Sequence, residues 1–305
     1  MPLQILPTLL NQLNTVIVGK PQQVHACLVC LLAGGHLLIE DVPGVGKTTL
    51  AHALAHTLGL QLQRVQFTAD LMPSDLTGVS VYERDSQSFV FHPGPVFSQV
   101  LLADEINRAS PKTQSALLEA MEEQQVSMEG QSHPLPQPFF VIATKNPLEQ
   151  LGTYPLPESQ LDRFLMRISL GYPSREAELQ LLAGQGGRSL ADQLPAQLDA
   201  AGLRQLQQAV LQVHAAPAVL HYVHDLLTAT RNAQWFVQGL SPRAGLALVR
   251  AAKAQALMQG RNYVAPDDVQ AVFVATMAHR LHALPSAGRA APAQAQAMLE
   301  AVPIP

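Results

Sequence analysis

Residues 36–49 read HLLIEDVPGVGKTT. HLLIE (36–40) is a short apolar run ahead of a glycine-rich loop, the pattern of a buried parallel strand. Thr48 to Leu58 carries a helical pattern that ends at Gly59. Strand, glycine-rich loop and helix in that order make a phosphate cradle. Gly44 and Gly46 let backbone N–H groups turn toward an anion, and the helix N-terminus adds a partial positive charge. The loop matches G-x-x-x-x-G-K-[ST] except at its first position, where Asp41 replaces glycine and removes conformational freedom. Lys47 suits β- and γ-phosphates, Thr48 suits Mg²⁺, and Pro43, Val45 and Thr49 complete the loop. The competing reading is a chance glycine-rich turn.

Further strand-like runs lie outward from this loop: LQRVQF (62–67), VLLAD (100–104), FFVIAT (139–144) and FLMRISL (164–170). Helical patterns separate most of them. That alternation predicts an α/β fold, a parallel doubly wound sheet of five strands with helices on both faces. Two β-hairpins interrupt it: Val79–Glu83 with Phe89–Phe91, and Val126–Met128 with Ser132–Leu135 around Glu129-Gly130. Residues 1–35 read as two helices broken at Val18-Gly19-Lys20-Pro21. From Pro173 onward only helical patterns occur, over 175–183, 200–214, 218–230, 243–259 and 266–281, with one more helix in the Ala-, Gln- and Pro-rich tail 287–305. A boundary at Gly171-Tyr172-Pro173 gives an α/β nucleotide-binding core (1–172) and an all-α lid (173–305).

Val100 to Ala103 lead into Asp104-Glu105, the pattern of a strand whose C-terminal end meets a phosphate loop. Asp104 there would hold Mg²⁺ through its water shell, and Glu105 would orient and deprotonate an attacking water. Alone, the pair reads equally well as acidic residues at a helix N-terminus. About 55 residues downstream of a phosphate loop, the catalytic reading is preferred.

Composition narrows the class. The 305 residues are 48% hydrophobic and 14% charged, which excludes a disordered chain. Lys+Arg is 19 against Asp+Glu 23, net −4, with no basic run, so a general nucleic-acid binder is disfavoured. The longest apolar stretch, Val24 to Ile39, is too short and too interrupted for a membrane span. The N-terminus has no signal-peptide pattern, so a soluble cytoplasmic protein is expected. Cys27 and Cys30 have C-x-x-C spacing, but two cysteines alone cannot fill a zinc site, and in an apolar helical run they read as buried small side chains.

Several long stretches together resemble AAA+ ATPases of the MoxR family: RVQFTADLMPSDLTG (64–78), FHPGPVF (91–97), ADEINRASPKTQSALLEAMEE (103–123), VIATKNPLEQLGTYPLPESQLDRF (141–164) and LSPRAGLALVRAAKA (240–254). The resemblance covers nearly the whole chain and assigns further roles. Asn146 matches the first sensor, holding the water opposite Glu105; the alternative is an Asn capping the turn before Pro147. Arg163 matches an arginine finger offered to the neighbouring subunit; the alternative is an intrachain pair with Asp162 or Glu158. Arg243 matches the second sensor, in the opening turn of a lid helix capped by Ser241, whence it would reach a γ-phosphate; the alternative is a solvated surface arginine. Val18 and Gly19 resemble the segment lining the adenine pocket; the alternative is a plain turn. Arg108 is either a second interface cation or a surface residue. The hairpins match the family's inserts, and the aromatics Tyr82, Phe89 and Phe91 suit protein contacts better than DNA phosphates, or simply pack the hairpin onto the core.

The resemblance implies a Mg²⁺-dependent ATPase acting as a homo-oligomeric ring, a hexamer, in which Lys47, Mg²⁺ and a neighbouring subunit's Arg163 neutralise charge while Glu105 activates water. It also implies a chaperone-like role on protein complexes, with partners carrying a von Willebrand factor A domain. Two rivals are weaker: a nucleic-acid motor, against which the low basic content speaks, and a non-hydrolysing scaffold, against which the full catalytic set speaks.

Overall fold

The computed structural model describes residues 2–85, 87–147, 152–284 and 291–304. In the first half, helices α1 (Leu6–Val16) and α2 (Pro21–Leu32) precede strand β1 (Leu37–Glu40), helix α3 (Lys47–Thr57) and strand β2 (Leu62–Gln66). Helix α4 (Pro73–Thr77), strands β3 (Gly78–Glu83), β4 (Ser88–Pro93) and β5 (Val100–Asp104), and helix α5 (Pro111–Glu123) follow. Next come β6 (Gln125–Met128), β7 (Gln131–Pro134), β8 (Phe140–Lys145), α6 (Glu158–Leu161) and β9 (Met166–Ile168). The described remainder carries helices α7 (Arg175–Leu182), α8 (Arg188–Ala191), α9 (Ala200–Gln212), α10 (Pro217–Thr230), α11 (Pro242–Met258), α12 (Pro266–Met277) and α13 (Ala291–Ala301). The tail helix expected in 287–305 is α13; residues 287–290 and 305 of that stretch lie outside the described residues.

The five predicted strands form one parallel sheet in the order β2-β5-β8-β1-β9. Strand side chains alternate between two faces. Leu37 and Ile39 of β1, Val100 and Leu102 of β5, and Phe140 and Ile142 of β8 enter one hydrophobic core. Leu38, Leu101, Ala103, Val141 and Ala143 enter a second core on the opposite face. The first core is shared with α1, α2, α3 and the helices from α9 onward; the second holds Leu117, Leu118 and Met121 of α5. Helices therefore cover both faces, as the strand–helix alternation requires.

Among the described residues β2 pairs only with β5. An edge strand tolerates polar side chains, which explains why Gln63, Arg64 and Gln66 stand exposed in LQRVQ. β9, at the opposite edge, is three residues long. The hairpins form two separate antiparallel pairs, β3–β4 and β6–β7, outside the sheet. They meet where Phe91 stacks on His133, centroids 4.1 Å apart. Tyr82 and Phe89 form an edge-to-face pair at 5.4 Å and remain 52% and 66% exposed, so of the three aromatics only Phe91 packs inward. Cys27 and Cys30 are free and buried, and burial pushes both thiols well above their usual range, so both remain protonated packing groups.

Candidate functional site

Parallel strands bring their C-terminal ends to one edge of the sheet, and the predicted site residues other than Arg163 and Arg243 gather there. β1 delivers the phosphate loop. Gly44 and Gly46 have φ of +82° and +95°, conformations that other residues adopt only at a cost, and a Cβ on either would meet open space. The cradle above the loop is thus unobstructed. Helix α3 starts at Lys47, so its free N–H groups point at that space. Burial pulls the Lys47 ammonium below its usual value while Asp41, Asp104 and Glu105 pull it back. Its Nζ donates to the carbonyls of Asp41 (2.8 Å) and Val42 (3.0 Å).

Asp41, the departure from the loop motif, has a structural task. Its carboxylate accepts from Val42 N (3.0 Å), Ser169 Oγ (3.1 Å) and Gly171 N (2.6 Å). It therefore ties the loop to the segment after β9 that leads into the helices from α7 onward.

β5 delivers Asp104, 8% exposed, and Glu105. Glu105 has φ +56° and ψ +50°, a left-handed conformation uncommon for glutamate, which aims its side chain away from the strand line. Thr144 on β8 fixes both residues, donating to Asp104 Oδ1 (2.6 Å) and accepting from Glu105 N (2.8 Å). The edge strand supplies two further partners that sequence patterning did not single out. Arg64 pairs with Asp104 Oδ2 at 2.7 Å, and Gln66 Nε2 donates to Glu105 Oε2 at 2.9 Å. Arg108 reaches the same Glu105 oxygen at 2.9 Å, which gives it a place beside the candidate base. Asn146 follows β8, 4% exposed, one residue past the Glu40–Lys145 pairing of β1 with β8, so it shares the edge with the loop and Glu105.

A cavity of about 240 Å³ adjoins the loop. Val18 lines it with Gly46, Thr49, Pro173, Leu181 and Gly187, the last three from beyond the predicted boundary. Gly19 lies beside this lining with φ +74°. Gly186 closes tightly on the same segment: a Cβ there would lie 2.8 Å from Val18 Cγ2 and 3.0 Å from Val16 O. The pocket beside Val18 thus has a wall, built from Pro173, Leu181 and Gly187, that no local motif signals.

Arg163 and Arg243 are not at this edge. His36, just before β1, contacts Met121 O at 3.3 Å, and Leu165 N donates to His36 O at 2.9 Å, which places the end of α5 and the residues before β9 at the N-terminal edge of the sheet. β1 alone spans roughly 13 Å at 3.3 Å per residue, so Arg163 and Arg243 sit a sheet's depth from their own chain's loop. The expected alternative pairing of Arg163 with Asp162 or Glu158 is not what forms. Arg163 instead pairs with Glu122 Oε2 at 2.9 Å, and Arg243 with Glu122 Oε1 at 2.9 Å. Ser241 caps α11 as predicted, accepting from Ala244 N, and so sets Arg243 in the first turn. Arg280 and His279, at the end of the α12 segment, both hold Phe164 O, at 2.9 and 3.0 Å, and Arg280 also pairs with Asp162 at 3.2 Å.

Comparisons with known proteins agree with this architecture. The family model described as "ATPase family associated with various cellular activities (AAA)" matches residues 36–166, and an AAA lid domain model matches 228–301. The chain is 42% identical to Chaperone MoxR1 of Mycobacterium tuberculosis over 88% of this chain and 74% of that protein. It is 34% identical to Protein MoxR of Paracoccus denitrificans over 96% and 94%. A crystal structure of a candidate ATPase from Cytophaga hutchinsonii superposes with TM-score 0.91 at 35% identity, covering 100% of this chain and 96% of that one. The two family models, the identities over nearly the whole chain and the superposition of a five-stranded parallel sheet with a helical lid agree, and the chain belongs to the MoxR family of AAA+ ATPases.

Proposed function

We propose that the chain hydrolyses ATP at a seam between two copies of itself and uses the turnover to remodel partner protein complexes. The observation that carries this reading is the separation of the charges. The phosphate loop, Asp104, Glu105 and Asn146 lie at one edge of the sheet, and Arg163 and Arg243 lie at the other. A chain built this way has no arginine of that pair near its own terminal phosphate, whereas a head-to-tail ring brings one edge against the other.

In this reading Pro43 to Thr49 wrap the phosphates and Val18-Gly19 lie along the base. The donor set fits Mg²⁺, which favours hard oxygen ligands and retains waters: a hydroxyl at Thr48 and a carboxylate at Asp104. Bound Mg²⁺ supplies charge neutralisation on the phosphate oxygens. Arg64 at 2.7 Å keeps the Asp104 charge compensated in the free chain. Glu105, held by Gln66 and Arg108, takes the proton of the attacking water, and Asn146 orients that water. Lys47 with Arg163 and Arg243 of the neighbouring subunit stabilises the charge developing on the terminal phosphate.

A hexameric ring, a chaperone-like client role, clients bearing von Willebrand factor A domains and a cytoplasmic location belong to the same proposal. The chaperone name of the M. tuberculosis relative supports the client role. Among the described residues no helix is long and apolar enough to cross a membrane.

Turnover per subunit measured across protein concentration tests the seam. It rises with concentration as copies assemble and then levels off. Full turnover in a sample held strictly monomeric would refute the proposal.

A further inference from the structure

Glu122 occupies an unfavourable place for its charge. It lies in the last turn of α5, where the helix dipole already presents negative charge and cations are preferred. Two arginines offset that cost. Arg163 Nη2 approaches Glu122 Oε2 and Arg243 Nη2 approaches Glu122 Oε1, each at 2.9 Å. One carboxylate thus engages two guanidinium groups that arrive from different parts of the chain, the loop before β9 and the first turn of α11. Asp162 supports the pair from the side, 3.5 Å from Arg243 and 3.2 Å from Arg280. All five residues border a cavity of about 320 Å³, along with Arg250. Four arginines and two carboxylates leave this cavity cationic, as an anionic group would require.

We propose that Glu122 is the positioning residue for both arginines: it fixes Arg163 and Arg243 side by side so that they meet the terminal phosphate of the adjacent subunit as one unit. This rests on the reading that those arginines act across the seam. Each guanidinium carries five N–H donors, and Glu122 occupies one nitrogen of each, so donors remain for phosphate oxygens while the carboxylate holds the geometry. As isolated pairs at a surface, such contacts add little to stability. Their consequence is therefore expected in the rate. Misplacement of a charge-stabilising group by about 1 Å costs on the order of a hundredfold.

The test uses the assembled full-length protein with MgATP and the variant Glu122→Gln, which keeps size and one acceptor oxygen but loses the charge. Expected are a fall in kcat of roughly ten- to a hundredfold and a KM for ATP within about twofold of the parent. Thermal stability is unchanged. Adding Glu122→Gln to Arg163→Ala brings no further loss, because the two act as one unit. Lys47→Ala subunits, whose Glu122, Arg163 and Arg243 are intact, restore turnover to Glu122→Gln subunits on mixing. Glu122→Asp, which keeps the charge on a shorter stem, lies between parent and Glu122→Gln and serves if the latter does not fold. A normal kcat in Glu122→Gln while Arg163→Ala is inactive would overturn this proposal and leave the seam reading intact. A loss that Lys47→Ala subunits cannot restore would also overturn it. A normal kcat in Arg163→Ala itself would instead remove the seam reading on which the proposal rests.

Discussion

Replacing Asp41 by glycine would restore the consensus of the phosphate loop, yet it should weaken the protein. The carboxylate is 7% exposed and accepts from Val42 N, Ser169 Oγ and Gly171 N at 3.0, 3.1 and 2.6 Å. Hydrogen bonds to a charged group contribute about 1.5–3 kcal/mol each, and buried donors left without partners cost a similar amount. Water reaching the rim of the site recovers part of this, and glycine adds a backbone entropy penalty of roughly 0.5–1 kcal/mol. A net loss of about 3–5 kcal/mol follows, which for a chain of this size lowers the melting temperature by roughly 5–12 °C. Asp41→Asn, which keeps the shape and one acceptor oxygen, should lose about half as much. Because Asp41 joins the loop to the segment leading into the lid, KM for ATP should rise in both variants. Thermal unfolding followed by circular dichroism reads the stability, and a coupled phosphate-release assay reads KM. An Asp41→Gly variant as stable as the parent would refute the reasoning, since the tie to Ser169 and Gly171 would then carry no energy.

Glu105→Gln should bind ATP and slow hydrolysis by about 10²–10⁴-fold, the range for losing a positioned base; unimpaired turnover would assign the base elsewhere. Gly186→Ala should raise KM and lower stability, because the new Cβ meets Val18 Cγ2 at 2.8 Å with φ fixed at +91°; an unchanged KM would separate this wall from the base pocket. Acid should destabilise the protein through two buried histidines. Burial pushes His36 down to about 4 and His279 to about 3, while in the unfolded chain both return to about 6.5. Between roughly pH 6.5 and 4 the unfolded chain therefore binds protons that the folded chain does not, and each histidine lowers the unfolding free energy by up to about 1.4 kcal/mol per pH unit of acidification. Equal denaturant midpoints at pH 7 and pH 5 would contradict this.

The fold was legible in the sequence because its signals are local. Each buried strand is a short apolar run, Ser241-Pro242 is a cap followed by a first-turn proline, and HLLIEDVPGVGKTT orders strand, loop and helix within fourteen residues. LQRVQ read as a strand although three of its five residues are polar and exposed, and its place at the sheet edge explains that composition. The common position of Lys47, Thr48, Asp104, Glu105 and Asn146 was legible for the same reason, since they sit in or just after strands whose ends a parallel sheet must align. The partners were not legible. Gln66 and Arg64 reach Glu105 and Asp104 across 39 and 40 positions, and Glu122 meets Arg243 across 121. No period or spacing encodes such contacts, because the sheet order that creates them is a global property. Asp41 looked like a defect in a motif for the same reason: its partners, Ser169 and Gly171, lie at the far end of the core.

The central claim is that one catalytic centre needs two chains, and complementation tests it most directly. Lys47→Ala removes nucleotide binding but leaves Arg163 and Arg243; Arg163→Ala removes the finger but leaves the loop. Each variant alone should be inactive. In an equal, random mixture roughly one quarter of the seams join an intact loop to an intact finger, and turnover should reappear at about that fraction of the parent rate. A mixture as inactive as its components, under conditions in which the two chains demonstrably co-assemble, would contradict the account.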